Sequence, residues 1–167
     1  MQHLGKRIVV VGVSASGKST FSKKLSLKLG IPVTLMDSLM WQPGWKYIGD
    51  QAVAEKLEVI SETPEWIIEG YVVKPARTFL FDKADTIIYL DYSPVVASLR
   101  YIKRWWLHSV HPRPELPGSP EKFSFTFLKL VWTKGETVSL NKVLVEVKYQ
   151  QKVLKLRSPS EAKRLLS

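Results

Sequence analysis

The stretch Arg7-Ile8-Val9-Val10-Val11-Gly12-Val13-Ser14-Ala15-Ser16-Gly17-Lys18-Ser19-Thr20 decides how this chain folds. From Gly12 onward it fits the phosphate-binding pattern G-x-x-x-x-G-K-[ST] at every fixed position. Two glycines let the backbone curl so that successive N–H groups point at one anion. Lys18 can reach the β- and γ-phosphates of a triphosphate, and the Ser19 hydroxyl can ligate Mg²⁺. A helix opening at Gly17 adds its positive end to the same spot. The expected cradle for ATP is therefore Gly12, Ser14, Ala15, Ser16, Gly17, Lys18, Ser19 and Thr20.

The flanks supply the context the motif requires. The β-branched run before the loop is too short for a buried helix and is bounded by glycine, so it reads as a buried strand. After the loop, Phe21, Leu25 and Leu29 recur every four residues, and Gly30 and Pro32 stop the helix.

Further out, Val33-Thr34-Leu35-Met36 reads as a second strand ending at Asp37, and Gln42-Pro43-Gly44 as a turn between Trp41 and Trp45. Val53, Leu57 and Ile60 have helical spacing in a segment that Asp50 can cap. Trp66-Ile67-Ile68-Glu69 is a third strand, followed by a looser stretch with Lys74, Pro75 and Arg77. Thr86-Ile87-Ile88-Tyr89-Leu90 is a fourth strand, ending at Asp91. Ser93-Pro94 opens a helix that repeats Val95, Leu99, Ile102 and Trp106 on one side.

Residues 111–120 hold four prolines and a glycine, so they form a loop. Ser119-Pro120 is expected to start another helix, with Phe123, Phe127 and Leu130/Val131 aligned, broken around Gly135. A helical stretch over 139–149, a fifth strand at Val153-Leu154-Lys155-Leu156 and a capping box at Ser158–Glu161 complete the chain. Alternating strands and helices predict an α/β, three-layer sandwich: a five-stranded, mostly parallel sheet with helices on both faces. No repeat or linker divides residues 1–167, so one domain is expected. Ligands sit beyond the carboxyl ends of the strands in such sheets, where Asp37, Glu69 and Asp91 fall.

Composition narrows the function classes. The absence of cysteine excludes disulfides and thiol chemistry and fits the cytoplasm. No span approaches the ~20 apolar residues of a membrane helix, and the apolar run near the N-terminus ends too soon for a signal peptide. The net charge of +10 lies almost wholly in the second half. Residues 1–91 carry eleven Lys/Arg against ten Asp/Glu, and residues 92–167 carry fourteen against five. Such a field favours a polyphosphate substrate or nucleic acid, and composition does not choose between them.

Phosphoryl transfer depends on neutralising phosphate charge and positioning two reactants away from water. Arg100, Lys103 and Arg104 fall within a ~100° arc of their helix, and Arg113 follows in the proline-rich loop. This combination reads either as a basic lid over 108–120 or as a solvated helix face. Glu69 reads as the carboxylate of a Mg²⁺ site or as a strand-end acid in solvent. Asp37 is an acceptor ligand, a base or a helix cap. Arg77 holds an anionic acceptor or lies on the surface. Trp41, Trp45 and Tyr71 stack on a base or fill the core. His3, His108 and His111 lack ligand spacing and are assigned no role. The guanine motif Asn-Lys-x-Asp is absent, since Asn141-Lys142 is followed by Val143-Leu144.

Several segments, in order, resemble one family. These are the phosphate loop, Leu35-Met36-Asp37-Ser38-Leu39-Met40-Trp41-Gln42-Pro43-Gly44-Trp45, Trp66-Ile67-Ile68-Glu69-Gly70-Tyr71, Ala84-Asp85-Thr86-Ile87-Ile88-Tyr89-Leu90-Asp91, the Arg-rich helix with Trp105-Trp106, and Ser119-Pro120-Glu121-Lys122-Phe123. Together they are similar to the adenylate-kinase-related DNA topology-modulation (FlaR-like) P-loop proteins. The resemblance implies a nucleotide-kinase fold with a lid, ATP on Gly12 to Thr20, Mg²⁺ at Ser19 and Glu69, and lid arginines at Arg100, Arg104 and Arg113. The reading that follows is a kinase for a small acceptor, plausibly a nucleoside or nucleotide, with Lys18 and the lid arginines on the transferring phosphoryl. Asp37, Trp41 and Arg77 would then face the acceptor. The alternative is an ATP-dependent, DNA-associated regulator with no small acceptor, although no helix-turn-helix or zinc finger is present.

Overall fold

The computed structural model describes residues 4–167. His3 lies outside the described residues. Five parallel strands form the central sheet: β1 (Arg7–Gly12), β2 (Val33–Leu35), β5 (Trp66–Glu69), β6 (Thr86–Leu90) and β7 (Val153–Leu156), in the order β2-β5-β1-β6-β7. Two short strands, β3 (Trp41–Gln42) and β4 (Lys46–Tyr47), pair antiparallel as a separate hairpin. The Gln42-Pro43-Gly44 turn signal sits at the tip of that hairpin.

Alternation along β1 explains why the sheet is covered on both faces. Val9 and Val11 enter one apolar cluster, with Met36, Val53, Leu57, Ile68, Leu80 and Tyr149. Ile8 and Val10 enter the other, with Phe21, Leu25, Ile67, Leu90 and Ala162. The first cluster is closed by α2 (Met36–Met40), α3 (Asp50–Ser61), α4 (Lys74–Lys83), α7 (Val138–Leu144) and α8 (Val147–Gln150). The second is closed by α1 (Lys18–Leu29) and α9 (Pro159–Leu166). A strand buried on both faces reads as a continuous apolar run, as β1 does.

Four expectations need correction. The second strand stops at Leu35, because Met36 already begins α2, and Asp37 lies inside that helix while Leu35 holds the N-cap position. The looser stretch around Lys74 and Arg77 is α4; Pro75 fits its first turn, where no N–H is needed. The helix expected from Ser119-Pro120 starts later, as α6 (Phe125–Trp132), where the Ser124 hydroxyl accepts from the Phe127 amide at 3.1 Å. The segment expected to be capped by Asp50 has Gly49 at its N-cap and Asp50 in its first turn. Helix α5 (Pro94–His108) turns the stripe Val95, Leu99, Ile102 and Trp106 outward, and Ala97, Ser98 and Tyr101 form its buried side. Capping is as expected at both ends of the second half: Val96 N–H donates to Ser93 Oγ at 3.3 Å, and Glu161 N–H to Ser158 Oγ at 3.3 Å.

Candidate active site

The loop between β1 and α1 is held by its own backbone. Ser16 N–H donates to the Val13 carbonyl at 3.1 Å, and Phe21 N–H to the Gly17 carbonyl at 3.0 Å. Ala15 and Gly17 lie in the left-handed region, at φ 61° and 90°. Alternating backbone hands turn consecutive amides inward into an anion-binding nest. Gly12 has φ 146°, and a Cβ there would stand 2.4 Å from the Leu90 carbonyl oxygen, so only glycine lets β1 leave the sheet this close to β6. The buried Lys18 ammonium donates to the carbonyls of Gly12 at 3.1 Å and Val13 at 3.0 Å.

Beside it, β5 delivers Glu69. This carboxyl is buried, and burial is the main reason its pKa rises to about 7. Lys18 opposes the rise, Asp37 adds to it, and a hydrogen bond with Ser19 and the charge of Arg113 lower it again. One carboxylate against one hydroxyl suits Mg²⁺, which keeps several waters and takes few protein ligands. The residues present therefore fit Mg²⁺ at Ser19 and Glu69, with oxygen donors only.

A cleft of about 1410 Å³ runs from this loop past Glu69 to Asp37, Trp41, Tyr71, Arg77 and Arg113. Its far side is an ion network. Arg113 Nη1 sits 3.1 Å from Asp37 Oδ2 and 3.9 Å from Glu115 Oε1, and its Nε 3.1 Å from Glu121 Oε1. Arg104 Nε approaches the same Glu121 oxygen at 3.1 Å. These two Nε contacts are ion pairs by distance but are not aligned as hydrogen bonds. Arg104 Nη2 reaches Glu121 Oε2 at 3.5 Å. Burial lowers the pKa of Arg104, with Glu121 opposing and Arg113 adding to the effect.

Residues 108–120 do not hang free. Gly44 and Trp45 N–H both donate to Ser119 Oγ, at 3.1 and 3.3 Å, and the Trp45 indole N–H donates to the Pro120 carbonyl at 3.0 Å. Leu116 and Ser119 are buried. The proline-rich loop is thus docked on the β3–β4 hairpin.

The expected site residues fall into three groups. Gly12 through Thr20, Glu69 and Arg100 gather at the donor end; Arg100 donates to the Ser16 carbonyl and lies 5.3 Å over the Tyr92 ring. Asp37, Arg104 and Arg113 gather in the ion network. Trp41 and Arg77 line the wall between. Trp41 is half-buried, 5.5 Å from Trp45 and 5.2 Å from Tyr47 between ring centres. Arg77 is buried, donating to the Val72 carbonyl at 3.1 Å and lying 5.8 Å over Tyr71. Lys103 is exposed at the cleft mouth. Asp91 stands apart, paired with Lys134 at 2.5 Å and Lys155 at 2.8 Å.

Glu121 is the functional candidate that sequence reasoning missed. Two residues after Ser119-Pro120 it has the look of an ordinary acid in a first helical turn. Its signal was the count of charges: between 92 and 132 the acids able to pair with Arg104 and Arg113 are Glu115 and Glu121.

A phosphate loop after β1, within parallel strands ordered β2-β5-β1-β6-β7, defines the P-loop kinase fold. Among solved structures with this fold, a gluconokinase from Sinorhizobium meliloti 1021 aligns with TM-score 0.57 and 17% identity, covering 99% of this chain and 95% of that one. Shikimate kinase from Bacteroides thetaiotaomicron aligns with TM-score 0.60 and 17% identity over 96% of both chains. A putative kinase from Chloroflexus aurantiacus J-10-fl gives TM-score 0.58 and 18% identity, over 96% and 95%. No protein-family model and no curated protein matches the chain. Among the described residues, no helix is long and apolar enough to cross a membrane.

Proposed function

We propose that the chain is an ATP-dependent phosphotransferase for a small acceptor, with nucleosides and nucleotides as the first candidates. The observation that carries this reading is a convergence at the carboxyl ends of neighbouring strands. Lys18, the Ser19–Glu69 pair and Asp37 all line one cleft there. The motif resemblance to FlaR-like proteins and the kinase neighbours support it.

In this reading the loop amides and Lys18 bind the triphosphate tail of ATP, the phosphoryl donor. Mg²⁺ at Ser19 and Glu69 would neutralise phosphate oxygens. Asp37 accepts a hydrogen bond from the acceptor hydroxyl and so orients it. That contact competes with Arg113 for the same carboxylate, so an arriving acceptor frees the guanidinium to turn toward the transferring phosphoryl beside Arg104. Trp41 walls the acceptor, and Arg77 offers a cation for any anionic group it bears. The docked loop excludes water, which would otherwise compete as acceptor.

The DNA-associated alternative draws no support from the solved structures of similar fold, which are kinases. The test is ADP release from Mg-ATP across a panel of nucleosides, nucleotides, shikimate-like and sugar acceptors. Stimulation above the no-acceptor baseline is expected with one class. A flat panel, or no heat on calorimetric titration with magnesium nucleotides, would overturn the reading.

A further inference from the structure

Helix α5 has two unlike faces. Arg100 and Arg104 turn toward the cleft, and Ala97, Ser98 and Tyr101 pack inward. At ~100° per residue, Val95, Leu99, Ile102 and Trp106 fall together on the opposite face. All four are exposed, at 52, 64, 42 and 72%. Single apolar side chains on a surface need no explanation, whereas an aligned stripe does. Helix α6 extends it. Ala97 clusters with Val131, and Tyr101 lies 4.9 Å from Phe127, so α6 runs antiparallel beside α5. It adds Phe125 at 79% exposure and Trp132 at 56%. A run of rings joins the two helices, with Trp105 5.1 Å from Phe123 and Phe123 4.9 Å from Phe125.

Charge selects the partner. The acids between 92 and 132, Glu115 and Glu121, are both ion-paired. Lys103 on α5 and Lys129 on α6 are exposed beside these apolar side chains in the helices, and Lys122 is exposed just before α6. A second copy meeting this face would bring lysines together in a chain of net charge +10. Nucleic acid would meet a row of Leu, Ile and Trp side chains in place of a continuous cationic track. Exposed aliphatic and aromatic side chains bordered by lysines match a helix lying in the headgroup region of an anionic bilayer. We propose that the α5–α6 face docks on an anionic lipid surface, with the cleft turned to water. The inference does not depend on phosphotransfer.

The test mixes the full-length protein with vesicles of phosphatidylcholine alone, or of phosphatidylcholine and phosphatidylglycerol in equal parts. Cosedimentation is expected with the anionic vesicles, about tenfold stronger than with the neutral ones. Tryptophan emission should shift to the blue, and Trp106→Phe combined with Trp132→Phe should remove most of that shift. Leu99→Glu should weaken binding about tenfold. Leu27→Glu changes net charge equally at an exposed site on α1 and should leave binding within about twofold, since it lies off the stripe. Equal weakening by Leu27→Glu and Leu99→Glu, or binding with no emission shift, would mean attraction by charge alone and overturn the proposal. So would absent cosedimentation, or a dimer in analytical ultracentrifugation that Leu99→Glu dissociates while vesicles go unbound.

Discussion

The donor end of the cleft and its lid end are built differently. At the donor end nine consecutive residues, Gly12 to Thr20, supply the loop, the ammonium and the hydroxyl, and only Glu69 and Arg100 come from elsewhere. At the lid end distant segments meet: Arg113 reaches Asp37 across 76 positions and Ser119 reaches Gly44 across 75, while Glu121 pairs with Arg104 and Arg113 from nearby in the chain. Backbone conformation shapes the donor end, with Lys18 and Arg100 bracing its carbonyls, whereas the lid end is held mainly by ion pairs and side-chain hydrogen bonds. The first therefore depends less on the surrounding side chains, whereas the second depends on several partners at once.

The largest break in this contrast should come from Lys18→Ala. In the proposed phosphotransferase it removes the cation assigned to the phosphates, while the loop keeps its own backbone hydrogen bonds, so turnover should fall on the order of a thousandfold with little change in thermal midpoint. Comparable loss of both would show that the loop needs the ammonium to fold.

Glu69 gives the next effect, and its sign is set by the raised pKa. Between 4.5 and about 7 the folded carboxyl holds a proton that the unfolded chain has released, so stability falls as pH rises through that window and levels off above it. The drop should be about 3 kcal/mol, and Glu69→Gln should abolish it, leaving the variant more stable above about pH 7. Urea denaturation across the window checks this. Mg²⁺ affinity of the parent should rise over the same range, because the ligand must be ionised.

At the lid end, Arg113→Ala leaves the buried Glu121 with one arginine and Asp37 with none. A cost of about 2 kcal/mol is expected, below that of a fully buried pair because Asp37 is partly solvated. A double-mutant cycle with Glu121→Gln measures the coupling; strict additivity would dissolve the network. Arg113→Lys should not restore it, since an ammonium cannot span two carboxylates as a guanidinium does. The smallest effect belongs to Ser119→Ala, about 1 kcal/mol by thermal denaturation, since the Gly44 amide keeps the Gly118 carbonyl at 3.2 Å.

The same contrast explains what the sequence disclosed. The sheet and the phosphate loop were legible because each strand is an apolar run and the loop is contiguous. Asp37, Arg104 and Arg113 were legible as charges, but the Asp37–Arg113 pair was not, because no local pattern encodes a contact 76 positions apart. The α5 stripe was legible as an apolar face, but its exposure was not. Helical periodicity marks an apolar face but not what covers it, and here the smaller Ala97 and Ser98, with Tyr101, were buried instead. Ser119-Pro120 resembled a helix start because a hydroxyl before proline suits an N-cap. In the folded chain that hydroxyl serves two amides of the hairpin.

That double acceptance by Ser119 has a mechanical meaning. Sliding the proline-rich segment off the hairpin would strand the Trp45 amide and weaken the hold on its neighbour, so the cheaper motion carries both segments as one plate. If the cleft takes the nucleotide and acceptor proposed above, hairpin and loop would open and shut over both as a single door.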